Sequence, residues 1–124
     1  MNNLEICEAL FRAFEEGDEA KVRFLCAAEL QARQNNNPPM TLDQLLGFST
    51  AVLKVVKDFR YEEAQRSVTS TGFVEEHSVR GTLPDGSAMD IRLCIVADVR
   101  NGKVQNLREY LDTYAASGLA KALA

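Results

Sequence analysis

Apolar and polar positions follow two different spacings in the two halves of this chain. Up to about residue 57 the apolar residues recur every three or four positions, which is typical of amphipathic helices. From Tyr61 onward they alternate with polar residues, as in strands that bury one face. Helices followed by a run of strands predict an α+β fold, in which the helices cover one face of a sheet.

Three helices are predicted in the first half, over about residues 3–16, 19–28 and 42–57. Gly17 suits the end of the first helix, and Asp18 can cap the second. The third and longest helix begins at a capping box, in which the side chains of Thr41 and Gln44 each accept from the other residue's backbone N–H. A weak alternation over residues 29–34 predicts a short strand, which an Asn-Asn-Pro-Pro loop ends.

Three turn signals divide the second half: Ser70-Thr71-Gly72, Pro84-Asp85-Gly86 and Asn101-Gly102. The four strands between and beside them are predicted at about 61–69, 73–83, 88–99 and 104–112. Tight turns make consecutive strands antiparallel, and Asp112 or Thr113 can cap a short last helix. The predicted architecture is a cone: a curved antiparallel sheet wrapped around three N-terminal helices, with a short C-terminal helix. Its open mouth suits an apolar pocket with a few polar groups.

Composition narrows the class of protein. The 124 residues are 46% hydrophobic and 26% charged, as expected for one globular domain over residues 1–124. A net charge of −4 without a basic cluster argues against nucleic-acid binding. No apolar run is long enough to span a membrane. Three cysteines without metal-ligand spacing predict free thiols, no metal site and a cytoplasmic location.

One acidic residue stands out on the last predicted strand. Leu107, Glu109 and Leu111 share one face of that strand, because alternate side chains point the same way. If the face lines the interior, the Glu109 carboxylate lies where burial is unfavourable, and its pKa should rise towards neutral pH. Alternatively, Glu109 pairs with Arg80 or another cation and only orders the sheet. The preceding strand offers Ile91 and Leu93 to the same apolar interior.

Three short segments resemble the nuclear transport factor 2-like superfamily, and more closely its SnoaL-like polyketide cyclases, ketosteroid isomerases and limonene epoxide hydrolases. Glu15-Glu16-Gly17-Asp18 resembles the corner after the first helix, and Asn101-Gly102-Lys103-Val104 resembles the turn before the last strand. Leu107-Arg108-Glu109-Tyr110-Leu111-Asp112 is similar to the closing strand, typically Trp-Arg-Asp/Glu-Tyr-Phe-Asp. The likeness extends over essentially the whole chain and implies the same cone-shaped fold.

The resemblance implies site residues one by one. In the cyclases and epoxide hydrolases the acidic residue that matches Glu109 faces the pocket and works as general acid or base. When the Leu83-Pro84-Asp85-Gly86 turn is aligned with the corresponding turn of the family, Glu76 and Ser78 take the positions of an Arg-x-Asp pair in the epoxide hydrolases. This alignment points both residues, with Arg80, into the pocket. Neither residue keeps the chemistry of that pair, so an epoxide hydrolase mechanism is disfavoured.

Local alternation on the same strand gives the opposite prediction. It places Phe73, Val79 and Leu83 inward, so Glu76 faces inward only if a bulge interrupts the strand. With a bulge, Glu76 and Glu109 could share a proton as an acid and a base. Without one, Glu76 belongs to a solvated charged patch. His77 has the opposite parity to Glu76 and is predicted on the outer face.

The function that these observations favour is an enzyme of the cyclase or isomerase type, acting on a small apolar molecule without a cofactor. Gln34, Asn35 or Ser78 would hydrogen-bond the polar end of the substrate. The alternatives are a non-catalytic domain of the same fold that binds a hydrophobic ligand or a protein, and an epoxide hydrolase-like enzyme. A homodimer is expected through the outer sheet face, which carries the mixed set Arg92, Cys94, Val96, Arg108 and Tyr110.

Overall fold

The computed structural model describes all residues, 1–124. The elements in chain order are α1 (Asn3–Glu16), α2 (Glu19–Leu25), β1 (Cys26–Gln34), β2 (Met40–Thr41), α3 (Leu42–Val55), β3 (Lys57–Val68), β4 (Gly72–Thr82), β5 (Ala88–Arg100), β6 (Lys103–Leu111) and α4 (Ser117–Leu123). Six strands form one sheet in the order β2-β1-β6-β5-β4-β3. The α+β class predicted from the sequence is confirmed.

The predicted helix boundaries hold where capping residues mark them. Gly17 ends α1 in the left-handed conformation at φ 70°, and the Asp18 side chain accepts from the Lys21 backbone N–H at the start of α2. Thr41 and Gln44 form both hydrogen bonds of the predicted capping box. These interactions are local, so the sequence alone was enough to place them.

Two helices end earlier than predicted because tertiary packing takes over. Cys26 already belongs to β1 and pairs with the buried Val104 of β6. At the end of α3, Val56 turns to extended backbone and packs against Gly81 of β4, where a Cβ atom would lie 2.4 Å from a Val56 methyl group. Strand β3 therefore starts at Lys57, four residues before the predicted position.

The last helix also differs from the prediction. The Asp112 carboxylate accepts from the Tyr114 backbone N–H at 2.9 Å and so stabilises a turn over residues 113–116. Helix α4 begins only after Ala116, with no side-chain cap. The prediction that Asp112 or Thr113 caps this helix was wrong.

The sheet is mixed, although the sequence predicted an antiparallel one. The pairs β3–β4, β4–β5 and β5–β6 are antiparallel as expected from their tight turns, but β1 lies parallel to β6. The parallel pair brings β1, from the N-terminal half of the chain, next to the last strand, β6. It places Gln34 in register with Glu109, and this contact positions the site.

The helices and the sheet share one apolar core. Its centre lies between α1 and the concave face of the sheet, where Leu10, Phe11, Phe73 and Ile95 are buried. The Phe11 ring meets the Phe73 ring edge-on, with 6.2 Å between centroids. Leu119 and Leu123 of α4 pack at the border of the core. Between that border and α3 the packing leaves a cavity.

Candidate active site

The cavity opens between α3, α4 and the concave face of the sheet and has a volume of about 320 Å³. Of the 27 residues that line it, 19 are hydrophobic, so an apolar molecule would be desolvated over most of its surface. The predicted lining residues Ile91, Leu93, Leu107 and Leu111 all face it. No helix of the chain is both long and apolar enough to cross a membrane.

Glu109 projects into this cavity from near the C-terminal end of β6, as the alternation of Leu107, Glu109 and Leu111 predicted. Its Oε1 atom accepts a hydrogen bond from Gln34 Nε2 at 3.0 Å. Glu109 forms no ion pair with any cation, and Arg80 binds Glu62, Glu63 and Asp90. The alternative that Glu109 pairs with Arg80 or another cation and only orders the sheet is therefore contradicted.

Burial dominates the electrostatics of Glu109. Loss of solvation disfavours its charged form and raises its pKa from 4.5 to about 7, against the smaller lowering effect of the Gln34 hydrogen bond. A carboxyl group with a pKa near 7 is present in both protonation states at neutral pH. It can then give or take a proton readily.

Asn35 supports Glu109 from the β1 side. Its backbone N–H donates to the Glu109 carbonyl oxygen at 2.9 Å, and its side chain donates to and accepts from the Leu111 backbone, both at 3.1 Å. The side-chain amide thus continues the β1–β6 ladder beyond Gln34 and fixes the strand on the C-terminal side of Glu109. Asn35 lines the cavity, as predicted, but these hydrogen bonds give it a positioning role in place of substrate binding.

Three predicted site residues lie outside the cavity. Strand β4 pairs with β5 in continuous register from Gly72 to Thr82, without the bulge that would turn Glu76 inward. Glu76 is exposed, Ser78 accepts from Arg92 at 3.4 Å, and Arg80 binds its three carboxylates on the outer face. The prediction that Glu76, Ser78 and Arg80 face the pocket was wrong, and the local alternation was the better guide.

His77 is the residue that sequence reasoning misplaced. It was predicted on the outer face, but it is only 2% exposed and lines the cavity. Its Nδ1 atom lies 2.6 Å from Oε2 of Glu75, a carboxylate with no solvent exposure. The signal was available in the sequence, because Phe73 and Val79 share their parity with Glu75 and His77.

Tyr61 of β3 completes the polar set. Its ring stacks on the imidazole of His77, with 4.2 Å between centroids and 21° between planes. Burial, and then the negative charges of Glu109, Glu15 and Glu75, hold the pKa of the Tyr61 hydroxyl well above its usual range. Tyr61 therefore stays a neutral hydrogen-bond donor at every physiological pH.

No group of three or more histidine, cysteine, aspartate or glutamate side chains is arranged to hold a metal ion. All three cysteines are free thiols, and burial raises the pKa of Cys7 and of Cys26 to about 12. The polar groups that line the apolar cavity include Glu109, His77 and Tyr61, with the Gln34 amide beside Glu109.

Comparison with solved structures identifies the fold. A candidate polyketide cyclase from Xanthomonas campestris superposes with a TM-score of 0.81 over 98% of this chain and 96% of its own, at 15% identity. An NTF2-like protein from Burkholderia xenovorans gives 0.78 over 98% and 95%, at 19% identity. A ketosteroid isomerase-like protein from Catenulispora acidiphila, solved with trimethylamine, gives 0.79 over 98% and 94%, at 14% identity.

The chain has the nuclear transport factor 2-like fold, as its sequence segments predicted. No family model and no curated protein matches the sequence. At this level of identity the comparisons define the fold alone. The chemistry must be argued from the cavity itself.

Proposed function

We propose that this protein is an enzyme that moves protons on a small apolar molecule carrying a carbonyl group, in the manner of a cyclase or isomerase. The observation that carries the proposal is the unpaired carboxyl group of Glu109, which faces an apolar cavity of about 320 Å³ with a pKa raised to about 7. Buried charges in proteins are as a rule paired with an opposite charge, and Glu109 has only the neutral Gln34 amide beside it. Several structural neighbours with the same fold are candidate polyketide cyclases, and the proposal assigns this chain chemistry of that class.

The reaction needs no group beyond side chains. Protonated Glu109 can donate to a carbonyl oxygen while a base removes a proton from the adjacent carbon, and the reverse transfers return the proton to the carbon skeleton. The Gln34 amide keeps the carboxyl group oriented. The apolar walls of the cavity exclude water, so the charged forms of Glu109 and of the base are not stabilised by hydration and transfer protons more readily.

A probe ketone tests the proposal. Wild-type protein in D2O should exchange the α-protons of 2-tetralone, a compact apolar ketone, faster than buffer alone, as followed by ¹H NMR. Saturable binding of 2-tetralone without accelerated exchange would contradict an enzyme and favour the non-catalytic ligand-binding alternative.

We also propose that the chain forms a homodimer through the outer face of β4, β5 and β6. All four helices contribute to the core on the opposite side, and Tyr110 is 50% exposed on the uncovered face. Light scattering at micromolar concentration should give twice the chain mass of 13.7 kDa. Introducing a charge with Val96→Glu should return it to the monomer; a monomeric wild-type protein would contradict the dimer.

The cytoplasm is the compartment that we propose for this chain. Its three cysteines are unpaired, and Cys7 and Cys26 are buried at separate places in the core. Free thiols of this kind persist in a reducing environment.

A further inference from the structure

A second buried carboxyl group lies on the same face of the sheet as Glu109. Glu75 of β4, Ile95 of β5 and Glu109 of β6 are directly paired neighbours in one row of the sheet. Paired residues of an antiparallel sheet point to the same face, so both carboxyl groups project from the concave side. Their environments differ: Glu109 has the Gln34 amide, whereas Glu75 is sealed among charged and polar partners.

The partners of Glu75 come from three elements. Arg66 Nε of β3 donates to its Oε1 atom, and Cys7 Sγ of α1 donates to the same oxygen at 3.5 Å. The other oxygen, Oε2, meets His77 Nδ1 at 2.6 Å. Such a set compensates the burial of a carboxylate that has no solvent exposure. Glu75 does not line the cavity, so it cannot contact a ligand itself. Its Oε2 atom hydrogen-bonds with His77 alone.

This arrangement fixes the tautomer of His77. A carboxylate accepts hydrogen bonds, so Nδ1 must carry the proton, and in the neutral ring the lone pair then lies on Nε2. Nε2 has no hydrogen-bond partner in the chain. Every fully buried side-chain polar atom does have a partner, so Nε2 is not fully buried. It is therefore accessible from the cavity that His77 lines. Phe11, edge-on at 5.2 Å, and the stacked Tyr61 hold the ring in place.

We propose that His77, oriented by Glu75, is the base that works opposite Glu109, and that the substrate is an enolisable ketone reaching both groups. The proposal rests on the proton-transfer function above. Strand spacing places the His77 and Glu109 backbones about 12 Å apart along the sheet. Both side chains line the same cavity of about 320 Å³, which is large enough for a small carbonyl compound.

The proton balance closes within the pair. His77 Nε2 takes a proton from the carbon next to the carbonyl; the C–H electrons form a C=C bond, and the carbonyl π electrons move to the oxygen, which takes the Glu109 proton. The result is an enol, an imidazolium and a carboxylate. Return of the imidazolium proton to a carbon of the enol system and of the enol proton to Glu109 restores the enzyme, and delivery to a different carbon isomerises the substrate.

The single histidine of the chain makes the first test direct. In ¹⁵N-labelled wild-type protein, the neutral His77 ring should be the Nδ1–H tautomer, with Nε2 unprotonated and shifted on addition of 2-tetralone. An Nε2–H tautomer would overturn the proposal, since Nε2 would then have no lone pair for a substrate proton. This measurement needs no variant and so does not depend on a substitution folding.

The second test separates the inference from the proposed function. We expect His77→Gln to slow 2-tetralone exchange by about 100-fold or more, and Glu75→Gln to slow it by about 10- to 100-fold while the neutral tautomer becomes mixed. Glu76→Gln, the same change one residue along on the outer face, should leave the rate within about twofold of wild type. Folding of each variant is checked by its ¹H–¹⁵N spectrum.

The outcomes distinguish the two claims. If Glu109→Gln loses exchange and His77→Gln retains it, the role of His77 is overturned and the proposed function stands. If wild-type protein does not accelerate exchange, the proposed function fails, and the role of His77 fails with it. Loss in both variants, with Glu76→Gln unaffected, supports both claims.

Discussion

Exchange of the α-protons of 2-tetralone should slow by about 10²- to 10⁴-fold when Glu109 is replaced by glutamine. Glutamine has nearly the same shape and can still hydrogen-bond with Gln34, but it has no proton to transfer at neutral pH. The loss should therefore appear in the turnover rate, with the affinity for the ketone changed by less than about threefold. A fall in affinity with unchanged turnover would mean that Glu109 holds the ligand and does not transfer a proton.

Glu76→Gln is the matched control for this substitution. It removes a carboxylate from the same sheet, but from the exposed outer face. Turnover should be unaffected. Loss of turnover in Glu76→Gln would show that the family-based prediction for Glu76 was right and the geometry of β4 misleading.

The free energy of unfolding should depend on pH through Glu109, and this is the second large effect. The pKa of Glu109 is about 7 in the folded chain against 4.5 for an ordinary glutamate. A carboxyl group with a raised pKa binds more protons in the native state than in the unfolded state between these values. Its stabilising contribution is therefore complete below pH 4.5 and is lost as pH rises through 7.

The size of this effect follows from the shift. It is at most about 3 kcal/mol, because one pKa unit corresponds to about 1.4 kcal/mol, and water in the cavity mouth reduces it. Denaturant unfolding of wild type and Glu109→Gln at pH 4.5 and pH 8.5 measures it: the variant should gain up to about 3 kcal/mol over wild type between the two values. A stability difference between the two proteins that is independent of pH would contradict a desolvated carboxyl group.

Local signals in the sequence predicted much of the fold. Gly17, Asp18 and the Thr41–Gln44 capping box each act within one turn of chain, so they mark helix ends without knowledge of the tertiary structure. Where a predicted helix end was wrong, a contact with a residue far away in the chain determines the end. Helix α2 stops before Cys26, which pairs with β6, and helix α3 stops before Val56, which packs on Gly81.

The candidate site was likewise predicted where local signals determine it and missed where distant contacts do. The strand alternation around Glu109 was enough to place it in the cavity, and Gln34 came to it through the parallel β1–β6 pair, which no turn signal predicts. His77 was missed because the resemblance pointed its neighbour Glu76 into the pocket, which by parity turned His77 to the outer face. Glu75 is tolerated there because the buried Cys7, from the distant helix α1, and Arg66, its partner across the β3–β4 hairpin, both hydrogen-bond to it.

The pKa of Glu109 tests the central claim most directly. The Cδ resonances of ¹³C-labelled glutamate can be titrated in the wild-type protein, and the Glu109 signal assigned by its absence from Glu109→Gln. We predict a midpoint near pH 7. A midpoint at or below 4.5 would mean that the carboxylate is well solvated or paired, and would contradict the proposed active site.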